Sequence, residues 1–257
     1  QKMKYELDHE EIREGLRRLC KDFDGAYWRK KDQTQAYPIE FVQALTESGY
    51  LAALIPETYG GSELPISAAS AILETIHHEG CNAAACHAQM YTMGTLLRHG
   101  SEEQKQRFLP GIANGSLRLQ AFGVTEPSSG TDTTALRTTA RRDGDDYIVN
   151  GQKIWTSRAE HSDLMLLLCR TTPLDQVAKK TDGLSVLLVD MRDCDENSLT
   201  IRPIKTMMNH STTEVFLDDV RVPAENLIGE EGKGFRYILS GMNAERILIA
   251  AECIGDA

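Results

Sequence analysis

One stretch of the sequence concentrates side chains of the types that bind metals. It contains His77, His78, Cys81, Cys86 and His87, and imidazoles and thiolates are common ligands of zinc. His77 and Cys81 are four residues apart, so they would share one face of a helix. The spacing nevertheless fits no standard zinc motif, and the surrounding Ala-rich sequence is typical of a buried helix. We therefore predict no metal site.

Other motifs that mark catalytic sites are absent or have a simpler explanation. Gly229, Gly232 and Gly234 resemble a phosphate-binding loop, but no Gly-Lys-Ser/Thr follows them. We interpret them as the loop that enters the last helix. The sequence also lacks the Gly-x-Ser-x-Gly turn that presents a nucleophilic serine. Near the end of the chain, Asn243 and Arg246 are three residues apart and share a helical face.

The composition excludes several classes of protein. Lys and Arg total 28 against 38 Asp and Glu, a formal charge of −10, so we expect no binding to nucleic acid. The longest apolar run, Leu164 to Cys169, is far shorter than the roughly 18 residues of a transmembrane helix. The six cysteines show no Cys-x-x-Cys spacing, which indicates free thiols in a reducing compartment. A hydrophobic fraction of 41% is that of an ordinary globular protein.

Helical periodicity dominates the first part of the chain. Apolar residues recur with helical spacing in five stretches, at residues 12–23, 38–49, 67–79, 83–99 and 101–114. Asp8 with Glu11, and Ser101 with Gln104, have the spacing of capping boxes at helix starts. Pro38 is suited to open a helix. We predict a helical bundle over residues 1–116.

From Leu117 the period changes to that of β-strands. Seven strands are predicted, at residues 135–141, 147–149, 152–156, 164–170, 184–190, 199–205 and 214–217. Asp143-Gly144 and Asn150-Gly151 are predicted to form hairpin turns. Because no helix separates these strands, residues 117–225 are predicted to form a small β-barrel or sandwich rather than a doubly wound sheet. The fold class is therefore α+β.

The helical period returns in residues 226–257. Apolar residues are spread around most of this segment's circumference, so the helix must be buried on more than one side. No later segment of the chain can cover it. We expect a further helical domain in a longer protein, or one supplied by another chain.

The segment Ala121 to Asp132 (AFGVTEPSSGTD) resembles the Thr-Glu-Pro-x-x-Gly-Ser/Thr-Asp signature of the acyl-CoA dehydrogenase family. Other segments of the chain resemble the same family in its order, at residues 56–61, 100–110, 150–157, 215–223 and 232–246. The resemblance covers essentially the whole chain. It implies an amino-terminal helical domain, a middle β-domain and a four-helix carboxy-terminal domain, usually in a tetramer. Only the first helix of that last domain would lie in this sequence.

The resemblance also implies FAD and an acyl-CoA substrate. A carboxylate would remove the α-proton of the thioester while the β-hydrogen leaves as hydride to flavin N5, giving the 2,3-enoyl-CoA. Electrons would pass to an external acceptor such as electron-transferring flavoprotein. The positions that resemblance assigns to the cofactor are Phe122, Val124, Thr125, Gly130, Thr131, Trp155, Thr156 and Ser157.

Some of these positions receive specific roles from the resemblance. The Thr125 hydroxyl would point toward flavin N5, and Trp155 would pack against the isoalloxazine. The turn around Gly130 would present backbone N–H groups to an anionic ligand. Thr131 would also touch the CoA portion of the substrate.

On the last helix, the family uses the positions of Asn243 and Arg246 to hold the pantetheine and nucleotide parts of CoA, although Asp is common where this chain has Asn243. Glu245 matches the position at which isovaleryl-CoA and long-chain enzymes carry the catalytic carboxylate. Most members carry it on a later helix of the carboxy-terminal domain, which this sequence does not contain. Glu245 is the predicted base. The alternative is a glutamate on such a later helix, with Glu245 as a solvated or ion-paired residue.

Two alternatives to a dehydrogenase remain open at this point. An acyl-CoA oxidase or flavin monooxygenase relative would let oxygen reach the reduced flavin, and a non-catalytic subunit would stabilise a complete homologue without turnover. A plain ligand-binding β-domain leaves the flavin-type motifs unexplained. We expect a homo-oligomer, either a tetramer or a dimer, in a bacterial cytoplasm or a mitochondrial matrix.

Overall fold

The computed structural model describes residues 9–257 as helices that precede and follow one β-sheet. The helices are α1 (Glu10–Cys20), α2 (Gly25–Thr34), α3 (Ile39–Glu47), α4 (Ile66–His78), α5 (Ala88–His99), α6 (Glu102–Asn114) and α7 (Gly234–Asp256). The strands are β1 (Leu119–Gly123), β2 (Thr139–Asp143), β3 (Asp146–Ser157), β4 (Leu164–Arg170), β5 (Leu184–Asp190), β6 (Leu199–Pro203), β7 (Thr212–Pro223) and β8 (Leu227–Ile228). The predicted α+β organisation is confirmed.

The helix predictions hold for the amphipathic segments and fail for a polar one. The capping box of Ser101 and Gln104 is present at the start of α6, whereas Asp8 lies outside the described residues. α2 was not predicted because it buries no residue and has no apolar stripe. The Asp24 carboxylate caps it by accepting hydrogen bonds from the backbone N–H groups of Ala26 and Tyr27, at 3.0 and 2.9 Å.

The predicted helix over 83–99 is interrupted at its beginning. Ala83–Ala85 form a single 3-10 turn, and the α-helix starts only at Ala88. The Asn82 side chain accepts from Ala84 N at 2.9 Å and fixes this turn. The turn between α4 and α5 thereby directs the carbonyl oxygen of Ala84 to the interior of the molecule. This oxygen accepts a hydrogen bond from the buried Arg158.

The sheet has the strand order β6-β7-β3-β2-β4-β5-β8, and β1 pairs in parallel with β4. All seven residues of β4 and all seven of β5 are buried, so both strands are covered on both faces. Leu166 packs in a cluster with residues of α5 and α6, whereas Leu167 packs with residues of β3 and β7. This double burial explains why both strands are continuous apolar runs.

The predicted turn at Asn150-Gly151 is wrong, because β3 runs without interruption from Asp146 to Ser157. The pair instead forms an irregularity in the pairing of β3 with β7. Asn150 exchanges two hydrogen bonds with Asp219 of β7, at 2.8 and 2.9 Å. A Cβ at Gly151 would lie 2.3 Å from Thr138 Oγ1, so close packing requires the glycine here.

α7 packs against α4, α5 and β5, which places it beside both the helical part and the sheet. Leu248 of α7 is fully buried among residues of α1, α3, α4 and α5. Leu239, Ile247 and Ile254 are 45, 48 and 67% exposed, and Cys253 is also exposed. α7 thus buries one side and leaves an apolar outer side. None of the described helices is long and apolar enough to cross a membrane.

Candidate active site

A cavity of about 1060 Å³ lies where the α4–α5 connection, β1, β3 and α7 meet. Its volume is at the upper end of the range for small-molecule sites in proteins. The predicted site residues that line it are Phe122, Val124, Thr125, Gly130, Thr131, Trp155, Ser157, Glu245 and Arg246. Residues from three distant parts of the sequence therefore face one space.

Two predicted site residues do not line this cavity. Thr156 is only 1% exposed, and its hydroxyl has no hydrogen-bond partner among the described residues. Asn243 is exposed, and its amide oxygen lies 3.4 Å from an Arg246 guanidinium nitrogen. Both lie next to cavity residues in the sequence, but their side chains are directed elsewhere.

The wall that carries Thr125 is held by a buried ion pair between Glu126 and Lys153. Lys153 Nζ donates to Glu126 Oε1 at 2.8 Å and to Val124 O at 3.0 Å. Glu126 also accepts from the backbone N–H groups of Arg137 and Thr138 at 2.6 and 2.9 Å, and from the Thr138 hydroxyl at 2.6 Å. Burial opposes ionisation of Glu126, but the Lys153 charge and these donors together lower its pKa. The glutamate of the Thr-Glu-Pro motif is thus a framework residue.

Trp155 is turned into the cavity by local backbone geometry. It has a left-handed backbone with φ of 61°, at an irregularity in the pairing of β3 with β7. A non-glycine residue in this region costs of order 1 kcal/mol or more. The neighbouring Lys153 is fully buried, whereas Trp155 is 58% exposed. The backbone N–H of Ile154 donates to Thr125 O at 2.9 Å, so the Trp155 and Thr125 segments are tied together.

This wall suits a flat aromatic cofactor such as a flavin. The Trp155 ring offers an exposed apolar face, and the residues that flank it on the cavity wall include Thr125 and Ser157, which carry hydroxyl groups. A Cβ added at Gly130 would meet nothing within 4 Å, so the space beside the loop is open.

Glu245 and Arg246 present opposite charges from α7. Glu245 is half-buried and lines the cavity, while Arg246 is exposed at its edge. Burial raises the pKa of Glu245, and the charges of Arg246 and Arg158 partly oppose this effect. A carboxylate with a raised pKa in a cavity is the type of group that serves as a general base.

Comparison with known proteins agrees with this geometry. The model of the acyl-CoA dehydrogenase N-terminal domain matches residues 6–116, and the model of the middle domain of that family matches residues 121–220. The chain belongs to the acyl-CoA dehydrogenase family. Family members are in general FAD-dependent. The domain boundaries at 116/117 and 225/226 stay predictions, and so do the roles of individual residues.

Two bacterial relatives and one solved structure illustrate this membership. The chain is 37% identical to the acyl-CoA dehydrogenase FadE26 of Mycobacterium tuberculosis, over 82% of this chain and 52% of the relative. It is 31% identical to the probable acyl-CoA dehydrogenase YngJ of Bacillus subtilis, over 99% of this chain and 67% of the relative. An acyl-CoA dehydrogenase structure from Geobacillus kaustophilus superimposes with a TM-score of 0.86 at 30% identity. The superposition covers 98% of this chain and 65% of that one. The chain thus spans roughly half to two thirds of these relatives.

Beyond the family motifs, the cavity contains a second carboxylate that sequence reasoning missed. Glu252 of α7 is buried, and one of its oxygens lies 2.6 Å from His87 Nδ1. Burial raises the pKa of Glu252 to about 7 and, with the Arg158 charge, lowers that of His87 well below its usual value. The contact has the geometry of an ion pair, but both pKa shifts favour a neutral pair in which Glu252 donates. Glu252 follows Glu245 by seven residues, a spacing that places both on one helical face.

His77 extends this cluster and accounts for the apparent metal motif. Its Nε2 accepts from Ala83 N at 3.1 Å, and its Nδ1 lies 3.0 Å from Asp256. His77 and His87 therefore pair with carboxylates of α7. Within residues 9–257, no group of three or more His, Cys, Asp or Glu is arranged to hold a metal ion.

Two further buried residues of the cavity wall, Arg158 and Gln120, were also missed. Arg158 is 5% exposed, and Gln120 is fully buried. Neither lies in a recognised motif, and Arg158 directly follows Ser157 at the end of β3. The signal that could have found Arg158 is a charged residue immediately after the family segment that ends at Ser157.

Proposed function

We propose that this chain carries the flavin-binding and thioester-binding side of an FAD-dependent acyl-CoA dehydrogenase. The reaction is oxidation of an acyl-CoA to its 2,3-enoyl-CoA. The observation that carries the proposal is the meeting of Trp155, Thr125 and Glu245 on one cavity, because these residues come from three separate segments. Family membership supports the same reaction class.

The bound flavin supplies a hydride acceptor for the β-hydrogen. Trp155 gives one face of the flavin site, and the hydroxyls of Thr125 and Ser157 orient its polar edge. Glu245 takes the α-proton, and burial, which raises its pKa, makes the carboxylate a stronger base. Arg246, together with the exposed Thr131, binds the CoA portion at the cavity edge.

The remaining parts of the proposal concern the assembly. We propose electron-transferring flavoprotein, or a similar protein, as the acceptor, and a homotetramer or homodimer in which other helices cover the exposed side of α7. The two relatives described above are bacterial, which favours a bacterial cytoplasm over a mitochondrial matrix.

The test is anaerobic reduction of the flavin in the protein expressed from its complete gene, followed by visible absorption. We expect saturated acyl-CoAs to bleach the flavin. Glu245→Gln is expected to slow bleaching by roughly 100-fold or more, because general-base catalysis contributes about that factor. Glu103→Gln, on the exposed first turn of α6, is the matched control and is expected to bleach like the wild type.

Any other outcome of the bleaching experiment contradicts a specific part of the proposal. Equal bleaching in both variants excludes Glu245 as the base but leaves the dehydrogenase. Rapid reoxidation of the reduced flavin by air favours an oxidase. A protein that holds no flavin, and that turns over only with a complete homologue, contradicts the proposal in favour of a non-catalytic subunit.

A further inference from the structure

We propose that the substrate has a long, uncharged hydrocarbon acyl group, and that the end of this group occupies a second chamber behind the active-site cavity. This inference rests on the proposed function. The chamber has a volume of about 230 Å³ and lies between α2, the α4–α5 connection and the β6–β7 loop. We call it the rear chamber and define it by Trp28, Tyr37, Pro38, Ala85 and Asn209, none of which lines the cavity.

The rear chamber and the cavity share a wall. Six residues line both spaces: Gly80, Asn82, Ala84, Arg158, Met208 and His210. At Gly80 and Ala84 this wall carries no side chain larger than a methyl group. Met208 is 59% exposed, and its unbranched side chain can rotate about three bonds. The rear chamber is therefore the space next to the cavity, behind a wall that small and movable residues form in part.

The outer wall of the rear chamber is anchored by hydrogen bonds. The Asn209 amide of the β6–β7 loop donates to Lys31 O at 3.1 Å and to Ala36 O at 2.9 Å, which fixes the loop on the connection between α2 and α3. The Tyr37 hydroxyl donates to Ala85 O at 2.8 Å and ties that connection to the 3-10 turn. The chamber is thus preformed, so a ligand need not order its walls on binding.

The larger part of the chamber surface is apolar. The polar ends of its two aromatic side chains are already bonded within the protein. Trp28 Nε1 donates to Phe23 O at 3.1 Å, and the Tyr37 hydroxyl donates to the Ala85 carbonyl. The two rings and Pro38 therefore offer apolar surface, which favours a hydrocarbon ligand.

The charged side chains around the rear chamber are paired or already buried. Lys31 pairs with Glu40 at 2.8 Å, and Asp32 accepts from a backbone N–H of the β6–β7 loop at 3.3 Å. The pKa of His210 is lowered to about 4 by burial and by the Arg158 charge, so His210 is neutral at pH 7. Arg158 remains a cation, but it is only 5% exposed and donates to a backbone carbonyl. A hydrocarbon chain therefore removes little further water from it.

The route from the proposed base to the rear chamber follows α7. Glu252 follows Glu245 by seven residues, or about 10 Å along the helix axis. Glu252 contacts His87 at 2.6 Å in the neutral pair described above, and His87 follows the shared-wall residue Ala84 by three residues. An acyl group whose α-carbon lies at Glu245 reaches the shared wall only if it is long, whereas a butanoyl group ends before it.

The test measures anaerobic bleaching of the bound flavin in the protein expressed from its complete gene. The probes are the CoA thioesters of butanoic, octanoic and hexadecanoic acid, together with that of hexadecanedioic acid, which adds a terminal carboxylate. Rates are compared at limiting thioester concentration. We expect the hexadecanoyl compound to react at least about tenfold faster than the octanoyl compound, since burial of about two methylene groups gives that factor. The hexadecanedioyl compound is expected to react more slowly than the hexadecanoyl one, because its carboxylate would lose water.

Variants locate the effect in the rear chamber. Ala85→Leu places a larger side chain there, because Ala85 lines the chamber and not the cavity. We expect it to slow bleaching by the hexadecanoyl compound at least about tenfold and to leave bleaching by the butanoyl compound within about twofold of the wild type. Ala85→Val adds less volume and is expected to cause a smaller loss in the same direction. Ala26→Leu, on an exposed residue of α2, is the matched control and is expected to leave all rates unchanged.

Several results would overturn the inference. Equal wild-type rates for the octanoyl and hexadecanoyl compounds, or an unchanged hexadecanoyl rate in both Ala85 variants, would show that the chain does not enter the rear chamber. Equal slowing of every chain length would assign Ala85 to the fold alone. Faster reaction of the hexadecanedioyl compound would contradict an uncharged end. Normal bleaching by the butanoyl compound leaves the proposed function intact in each case, whereas both proposals fail if no thioester bleaches the flavin.

Discussion

Two buried polar clusters lie on the same sheet and differ in how completely they are satisfied. The Glu126–Lys153 pair has a partner for each carboxylate oxygen and two acceptors for the ammonium group. Arg158 and Gln120 each retain a buried N–H without a partner in the described residues. A cluster that only supports the fold gains by being complete. The Glu126–Lys153 pair is therefore the fully hydrogen-bonded cluster, whereas Arg158 and Gln120 each leave one buried donor unpaired within residues 9–257.

The largest expected effect comes from breaking the complete cluster. Lys153→Met removes the cation and leaves the Glu126 carboxylate buried without its counter-charge. We expect the free energy of unfolding to fall by about 3–5 kcal/mol, the usual cost of breaking a buried pair from one side. Urea unfolding of the wild type and the variant measures it. A loss as small as that of a surface pair would show that Glu126 does not depend on Lys153.

The matched control for that experiment is Arg221→Met. Arg221 forms exposed pairs with Asp143 and Asp146, at 3.1 and 3.2 Å. Water screens such pairs, so this substitution is expected to change stability far less than Lys153→Met. Comparable losses in the two variants would contradict the distinction between the buried and exposed pairs.

The second effect is a pH dependence from Glu252. Its pKa is about 7 in the folded protein and near 4.5 when unfolded, so the folded state binds the proton more tightly. The stabilisation of the folded state by protonated Glu252 is fully present below pH 4.5 and is lost as pH rises through 7. The shift corresponds to about 3 kcal/mol. Glu252→Gln cannot ionise, so it is expected to match the wild type near pH 5 and exceed its stability at pH 8.

An opposing contribution comes from His87. His87 has a lowered pKa, so its own contribution to stability is present above pH 6.5 and is lost as pH falls through its folded pKa. Because His87 contacts Glu252 at 2.6 Å, the difference between variant and wild type reports the coupled pair. Parallel stability curves between pH 5 and 8 would show that Glu252 is ionised in the fold and paired with a protonated histidine.

The smallest expected effect on stability comes from comparing Gln120→Leu with Thr138→Val. Gln120→Leu removes an orphan donor, and Tyr37 keeps its 2.8 Å hydrogen bond to Ala85 O. We expect the free energy of unfolding to stay within about 1 kcal/mol of the wild type or to rise. Thr138→Val removes a satisfied hydroxyl from Glu126 and is expected to cost about 1–3 kcal/mol. Equal losses from both substitutions would mean that Gln120 also belongs to the framework.

The sequence predicted elements wherever the information was local. The capping box at Ser101 and the apolar stripe of α3 are contained within a few residues, and both are present. α2 has no stripe, so periodicity could not reveal it. The Asn150-Gly151 pair has the composition of a hairpin turn, but contact with Asp219, which is 69 residues away, makes it part of a continuous strand.

The same limit applies to the site. The family segments predicted most of the residues that the structure places on the cavity. They could not predict the Glu252–His87 pair or the Glu126–Lys153 pair, because those contacts join distant residues. Lys153 is 27 residues from Glu126, and His87 is 165 residues from Glu252. Burial and pairing of such groups are properties of the packed chain rather than of any motif.

The exposed side of α7 has a practical consequence through Cys253. The six cysteines all lie within the described residues, where four are buried, Cys194 is half-buried and Cys253 alone is exposed. A maleimide dye would therefore attach mainly at one place, without any engineered substitution. That place is one residue from Glu252, on the exposed side of α7, where Cys253 lies in one groove with Arg246 and Ile249. The labelling rate of Cys253 would report whether other helices cover α7 in the assembled protein. The emission of the attached dye would report the polarity of its surroundings.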